Sequence, residues 1–267
     1  MSPTRTTHLR PRPRRRRPVS LVVAALVCAA TAWVGSPAAG ASPTAGTASA
    51  GAEAAPAAVS ASTPAGAGPV SPALVTTTAH PGNQVALTFD DGPSPQYTPQ
   101  LLQVLKKHQV KAVFCVVGEM VEWQQPMVRA IVADGHTLCN HTYRHRDLST
   151  VSPAEIEADI QQTNDRIHAA VPGVEIPYFR APYGNWGQSP AVAANLGLRP
   201  LSWTLMPGDW ELPGVDVLLQ RLRDGITPTG VVTLHDAGGD RQQTVDAVDR
   251  LITEYKAKGW NFDLPSR

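Results

Sequence analysis

The chain has 267 residues, with 23 basic and 22 acidic side chains, and its formal net charge is +1 at pH 7. The first 41 residues contain seven of the arginines and no acid, so the rest of the chain carries about −6. An acidic remainder argues against a nucleic-acid-binding protein, because nucleic-acid-binding surfaces are normally basic.

Residues 1–41 are predicted to be a secretory signal peptide. Arginines up to Arg17 precede a mostly apolar segment at residues 19–34, and Ala39-Gly40-Ala41 offers a cleavage site. The apolar segment is shorter than the roughly 20 residues of a membrane span. We therefore expect a secreted or cell-wall-associated protein without stable membrane insertion after cleavage. An uncleaved anchor is the alternative, and the export route (Sec or twin-arginine) stays open.

Residues 42–79 are predicted to be a disordered linker. They are almost entirely Ala, Pro, Ser, Thr, Gly and Val, and Glu53 is their only charged residue. Such a segment cannot bury enough apolar surface to offset its chain entropy. The folded part is then expected at residues 80–267, which suits one domain with a sizeable core.

Short apolar runs alternate with amphipathic segments along this folded part. The runs predict strands at residues 85–89, 112–117, 137–140, 178–181, 198–205, 231–235 and 260–264. The segments between them predict helices at residues 98–108, 127–134, 190–196, 216–222 and 242–256, and one that begins at Ser152 with Pro153 and Glu155 as start signals. This order predicts an α/β fold, a distorted, incomplete (β/α) barrel of about seven strands with a parallel core.

Polar residues stand at or just past the ends of these predicted strands. They are Asp90, Asp91, Asn140, His141, Arg180, Asp209 and His235. Because the C-terminal ends of parallel barrel strands meet at one face, we expect these side chains to converge there.

Asp91, His141 and His145 form a plausible set of metal ligands. Two imidazoles and one carboxylate leave positions open for water and substrate, as a catalytic zinc site requires. Zn²⁺ is the first expectation, and Co²⁺ or Ni²⁺ would suit the same donors. The alternative is a pair of ordinary surface or helix-capping histidines.

Five short motifs occur in a fixed order. They are Thr88-Phe89-Asp90-Asp91-Gly92, His141-Thr142-x-x-His145, Arg180-x-Pro182-Tyr183, Asp209-Trp210 and Leu234-His235-Asp236. Together they resemble the NodB-type polysaccharide deacetylases, carbohydrate esterase family four, over roughly residues 82–264. Residues 80–267 are accordingly expected to be a NodB homology catalytic domain.

The resemblance implies a role for each motif residue. Asp90 would be the general base, paired with Arg180, and the metal would be held by the three ligands named above. His235 would be the general acid, oriented by Asp209. Asp236, next to His235, is interpreted as a structural acid rather than a catalytic one.

Substrate contacts are expected from residues near these motifs. The backbone N–H of Tyr183 would bind the oxyanion, and Trp210 and Leu234 would contact the acetyl group. Trp186 would stack on a sugar ring or, equally, pack in the core. Two residues depart from the family pattern: Met206, where the family often has Asp, and Thr233, where it usually has Leu.

Cys115 and Cys139 remain after signal cleavage and fall in predicted strands. They are either two small buried apolar side chains or a disulfide between neighbouring strands.

The predicted function is removal of N-acetyl groups from 2-acetamido sugars of peptidoglycan or chitin oligomers by a metal-dependent hydrolase. One alternative is an O-acetyl xylan esterase, since the same attack by water serves esters and amides. Another is a glycan-binding protein with a degenerate site. The partner in each case is an acetylated glycan, and the oligomeric state is not predicted.

Overall fold

A computed structural model describes residues 68–267 of the chain. The predicted signal peptide and residues 42–67 of the predicted linker lie outside the described residues. Within residues 68–267, no helix combines the length and apolar character needed to cross a membrane.

Strands and helices alternate along the described chain. The strands are β1 (Gln84–Asp90), β2 (Val113–Val116), β3 (Thr137–Asn140), β4 (Tyr178–Phe179), β5 (Arg199–Pro200), β6 (Gly230–His235) and β7 (Asn261–Phe262). The helices are α1 (Thr98–Lys107), α2 (Gly118–Trp123), α3 (Gln125–Ala133), α4 (Pro153–Ala170), α5 (Ser189–Asn195), α6 (Val215–Gly225) and α7 (Gln242–Ala257). Two 3₁₀ turns lie at Pro182–Gly184 and Asp209–Glu211.

The strands form one parallel sheet that curls towards closure. Their order is β5-β4-β3-β2-β1-β6, and β7 pairs with the beginning of β1. The chain beyond β5 then reaches the opposite edge, where the N–H of Thr204 donates to Val231 O at 2.9 Å. The N–H of Thr233 donates in turn to Leu205 O at 2.9 Å. The predicted incomplete barrel with a parallel core is thus confirmed.

Strand β1 shows how the two faces of the sheet differ. Val85, Leu87 and Phe89 point outwards into the apolar layer between sheet and helices, whereas Ala86 and Thr88 point into the barrel. Each large apolar side chain buried in the outer layer contributes about 1.5–3 kcal/mol. Asp90 ends the inward series, so the alternation that builds the core also aims this carboxylate at the barrel mouth.

Helix α4 begins where its sequence signals predict. The hydroxyl of Ser152 accepts the N–H of Glu155, and the Glu155 carboxylate accepts the N–H of Ser152, which together form a capping box. Ile156, Ile160 and Ile167 are fully buried along one face. This anchoring fixes the loop between β3 and α4, which carries both predicted histidine ligands.

Helix α2 was not predicted from the sequence. It has only six residues, which is too short for a periodic apolar pattern, and Trp123 at its end is exposed. Its first residue, Gly118, has no room for a side chain, because a Cβ there would lie 2.6 Å from the Tyr143 ring.

The folded part begins before residue 80, which corrects the predicted end of the linker at residue 79. The N–H of Val75 donates to Pro200 O at 2.8 Å, and that of Ala79 donates to Leu264 O at 2.8 Å. Amino-acid composition does not reveal this attachment, because these hydrogen bonds are made by backbone atoms.

Cys115 and Cys139 face each other in the register of β2 and β3 and form a disulfide. Both are fully buried inside the barrel with Ala86, Val113 and Tyr178. The disulfide alternative is therefore confirmed.

Candidate active site

The predicted site residues gather at the C-terminal ends of the strands. Asp90 ends β1 and His235 ends β6, and these ends lie side by side because the two residues are paired in the sheet. A cavity of about 480 Å³ opens there, and its lining includes Asp90, Asp91, His141, His145, Trp210 and His235.

Three side chains converge as a metal site would require. The Oδ1 atom of Asp91 lies 3.2 Å from Nε2 of His145 and 3.6 Å from Nε2 of His141. Their donor atoms all lie within 4.8 Å of one another. Oδ1 of Asp91 is buried and has no hydrogen-bond partner among residues 68–267. A buried carboxylate oxygen facing two imidazole nitrogens suits a divalent cation.

The protonation of these groups also suits a metal. Nδ1–H of His141 donates to Arg180 O at 2.9 Å, which leaves Nε2 as the ligand nitrogen. Burial lowers the pKa of His145, and the neighbouring His141 lowers it further. Burial opposes ionisation of Asp91, but the hydrogen bond from His141 and the charges of His141, His235 and His145 together outweigh it and bring the pKa to about 2. Neutral imidazole and ionised carboxylate are the forms that bind metals.

Left-handed backbone conformations shape the loops that carry the ligands. The φ angles are 75° at Asp91, 65° at Thr142 and 54° at His145. Such conformations cost about 1–3 kcal/mol each for residues other than glycine, so the surroundings must maintain them. Asn140 does so on the β3 side, because its Oδ1 accepts the N–H of Thr142 and its Nδ2 donates to Ile160 O.

A fully buried ion pair supports the predicted base. Nη1 of Arg180 lies 2.6 Å from Oδ1 of Asp90 and also donates to the Thr88 hydroxyl. Nε of Arg180 donates to Leu201 O at 2.9 Å, and the ring of Trp203 lies 5.6 Å from the guanidinium. Arg180 therefore fixes one oxygen of Asp90. The other oxygen, Oδ2, lies 4.0 Å from Nε2 of His141, beside the ligand cluster.

The predicted acid is held by a second buried carboxylate. Oδ1 of Asp209 accepts Nδ1–H of His235 at 2.8 Å, while Oδ2 accepts the backbone N–H of His235 and the Thr244 hydroxyl, each at 2.9 Å. Burial alone would lower the pKa of His235, but the hydrogen bond and charge of Asp209 raise it. Because Nδ1 is engaged by Asp209, Nε2 is the ring nitrogen of His235 that is left for a substrate in the cavity.

Two predicted substrate-contact residues line the cavity. Tyr183 is 67% exposed, and its ring meets that of His145 edge-on at 4.5 Å. Trp210 is 41% exposed, and its ring lies 5.4 Å from His235. Both therefore stand where a substrate entering the cavity would touch them.

Two others do not line this cavity. Leu234 is fully buried in the outer apolar layer, because strand alternation sends it to the face opposite His235. Trp186 packs edge-on against Phe179 at 6.3 Å, which is the core-packing alternative.

The two departures from the family pattern lie at different depths. Met206 lines the cavity and is 39% exposed. Thr233 is buried inside the barrel, and its hydroxyl lies 3.3 Å from that of Thr88. The Thr88 hydroxyl also accepts a hydrogen bond from Arg180. Met206 can therefore contact substrate, whereas Thr233 supports the layer beneath.

Sequence analysis missed further lining residues, among them Trp203, Gly238 and Arg241. Trp203 was hidden within a run assigned to a strand. Gly238 and Arg241 belong to the loop after β6, where the residue types alone indicate no chemistry. Burial raises the pKa of Asp236 in this loop to about 7, and the nearby charges of Asp91 and Asp90 add to the rise.

Known proteins resemble this chain in both sequence and fold. A sequence profile described as "Polysaccharide deacetylase" matches residues 77–201. A chitooligosaccharide deacetylase of Bradyrhizobium sp. (strain ANU 289) is 39% identical over 190 residues, which cover 67% of this chain and 87% of that protein. A peptidoglycan-N-acetylglucosamine deacetylase of Bacillus cereus is 33% identical over 196 residues, which cover 72% and 91%.

Among solved structures, a protein of Bacillus anthracis described as a CE4 family pseudoenzyme superposes with a TM-score of 0.66. It is 32% identical, and the match covers 72% of this chain and 67% of that one. Similarity of fold thus extends to a protein described as a pseudoenzyme. Activity therefore depends on the side chains at the site and does not follow from the fold alone.

Proposed function

Because the chain belongs to the polysaccharide deacetylase family, we propose that it hydrolyses N-acetyl groups of 2-acetamido sugars in a glycan. The reaction breaks a carbon–nitrogen bond other than a peptide bond and releases acetate. Relatives named for chitooligosaccharides and for peptidoglycan N-acetylglucosamine support this substrate class.

One observation carries the proposal: a single cavity joins a metal-ligand cluster, a positioned base and a positioned acid. The cluster is Asp91 with its two histidines, the base is Asp90, and the acid is His235. A protein that only binds glycans would have no need of all three.

Asp91, His141 and His145 would hold a divalent metal, with Zn²⁺ as the first candidate and Co²⁺ or Ni²⁺ as others. When bound, such a metal polarises the acyl carbonyl and lowers the pKa of water to about 7. Asp90 would accept the proton of the attacking water. Since Arg180 engages Oδ1, the accepting oxygen is Oδ2.

The acid half completes the reaction. As the tetrahedral intermediate forms, the backbone N–H of Tyr183 would stabilise its oxyanion. His235 would then donate the proton of Nε2 to the departing amine nitrogen, while Asp209 stabilises the imidazolium through Nδ1. Trp210 would enclose the acetyl group at the edge of the cavity.

We also propose that the protein acts outside the cytoplasm or in the cell wall. The support is the basic stretch, apolar segment and small-residue cleavage site of residues 1–41. Separation of cells into cytoplasm, envelope and medium, followed by N-terminal sequencing, tests it. Only cytoplasmic protein with an intact N-terminus would refute it.

The function is tested by acetate release from chitin oligomers, peptidoglycan and acetylated xylan, each with added zinc and with chelator. We expect chelator-sensitive release from the N-acetylated glycans. Release from xylan alone would support the esterase instead. No release from a metal-loaded protein would refute the hydrolase and favour a glycan-binding role.

A further inference from the structure

Asp236 is a fully buried acid that the proposed reaction does not use. Among residues 68–267, Oδ1 of its carboxyl group has no hydrogen-bond partner. Burying such a group is costly, so its presence next to His235 calls for a physical reason.

The hydrogen bonds around Asp236 span the turn that carries the metal ligand of β1. The Thr98 hydroxyl donates to Oδ2 of Asp236 and accepts the N–H of Ser94 at 2.7 Å. The backbone N–H of Asp236 donates to Asp90 O at 3.1 Å. Asp90 and Ser94 bracket the turn, so Asp236 is tied to both of its ends.

The carboxyl group of Asp236 also packs directly against this turn. Gly92 follows the ligand Asp91, and a Cβ on Gly92 would overlap both carboxyl oxygens of Asp236. The carboxyl group therefore occupies the space that a side chain at position 92 would need. Its shape limits where the backbone after Asp91 can lie.

The rest of the loop contacts Asp91 itself. A Cβ on Gly238 would lie 2.7 Å from Oδ2 of Asp91, so only glycine lets the backbone approach so closely. The buried guanidinium of Arg241 holds this loop by donating to Ala237 O at 2.7 Å and Gly238 O at 3.0 Å. Oδ2 of Asp91 thus faces the loop, while Oδ1 faces the two histidines.

We propose that Asp236 is a positioning residue which, through Thr98 and Gly92, fixes the turn of residues 90–94 so that Asp91 presents Oδ1 to a metal. The proposal rests on the metal site described above. It assigns a purpose to a buried acid that neither binds the metal nor touches the substrate.

The test measures zinc affinity of the full chain by competition with a chelating dye, with the absorption spectrum of the cobalt-loaded protein as a second readout. Asp236→Ala should weaken zinc binding about 10- to 100-fold, the usual cost of losing a group that orients a ligand. Its cobalt spectrum should also change. Asp236→Asn keeps the shape and the acceptor for Thr98, so it should bind zinc nearly as the unmodified chain does.

Two substitutions of Thr98 provide a matched pair of variants in case Asp236→Ala does not fold. Thr98→Val removes the hydroxyl at constant size and should weaken zinc binding in the same direction. Thr98→Ser keeps the hydroxyl and should not. Leu198→Ala, a buried change in the separate apolar cluster beside α5, controls for lost stability alone.

Unchanged zinc affinity in both Asp236→Ala and Thr98→Val would overturn the inference, as would an equal loss in Leu198→Ala. A loss in Asp236→Asn as large as in Asp236→Ala would also overturn it, because shape and hydrogen bonding are then irrelevant. If the unmodified chain itself binds no zinc, cobalt or nickel, the proposed function fails too. The two failures are therefore distinguishable.

Discussion

The two halves of the candidate site are built differently. The metal half places Asp91 and His145 on loops with left-handed backbone, at φ angles of 75° and 54°. The acid half places His235 at the end of a regular strand, where Asp209 holds it by two hydrogen bonds. The metal half therefore depends on its surroundings, whereas the acid half is maintained by its own contacts. Substituting a side chain of one half should have its main effect on that half.

Removing a metal ligand should have the largest effect. His141→Ala deletes one of three donors, so we expect bound zinc to be lost and acetate release to fall to background. Metal analysis after dialysis, together with the acetate assay, checks this. His168→Ala is the matched control, because this histidine on α4 lies outside the cavity. Full zinc content in His141→Ala would contradict the ligand assignment.

Removing the base should separate chemistry from metal binding. Asp90→Asn keeps the size of the side chain but cannot take up the proton, so turnover should fall about 10²–10⁴-fold while zinc stays bound. Asp91→Asn, one residue further on, should instead weaken zinc binding. Substantial turnover in Asp90→Asn would refute the role given to this carboxylate.

Removing the carboxylate charge of Asp209 should shift the pH dependence of kcat/KM. In the proposed reaction His235 acts in its protonated form, and Asp209 raises its pKa, so the contribution of His235 is fully present below that pKa and is lost as pH rises through it. Asp209→Asn should therefore move the alkaline limb to lower pH, with about a tenfold loss there for each pKa unit. The pH dependence of kcat/KM checks this, and an unmoved alkaline limb would contradict it.

The sequence predicts the strands of both halves better than the loops of the metal half. The run that ends at His235 was placed almost as observed, since a buried strand leaves a continuous apolar pattern in the sequence. The three ligands were named from their residue types and motif spacing. The left-handed backbone of Asp91 and His145 is not predictable in this way, because neither residue is a glycine and the strain is imposed by tertiary contacts.

Sequence patterns also failed where two faces of one strand had to be told apart. Leu234 stands in a run that is buried on both faces, so hydrophobicity does not give its direction, whereas alternation from the neighbouring His235 does. The loop that carries Gly238 and Arg241 was missed because its role depends on backbone approach to Asp91. Such contacts between distant segments leave no local pattern.

Truncating the cavity rim should have the smallest effect. Trp210→Ala removes a partly exposed ring beside His235, so kcat/KM should fall roughly 10-fold through lost apolar contact with substrate. Zinc content and the pH profile should not change. Trp123→Ala is the matched control, since that ring is exposed but lies outside the cavity. Equal losses in both variants would contradict a substrate contact by Trp210.

Hydrolysis that depends on a bound metal is tested by measuring metal content and acetate release together, on one sample that is first chelated and then reconstituted. We expect chelation to abolish release and added zinc to restore it, up to one metal per chain. The Asp90→Asn variant should bind the same single metal and release almost no acetate. Release that persists in the metal-free protein would contradict metal-dependent hydrolysis.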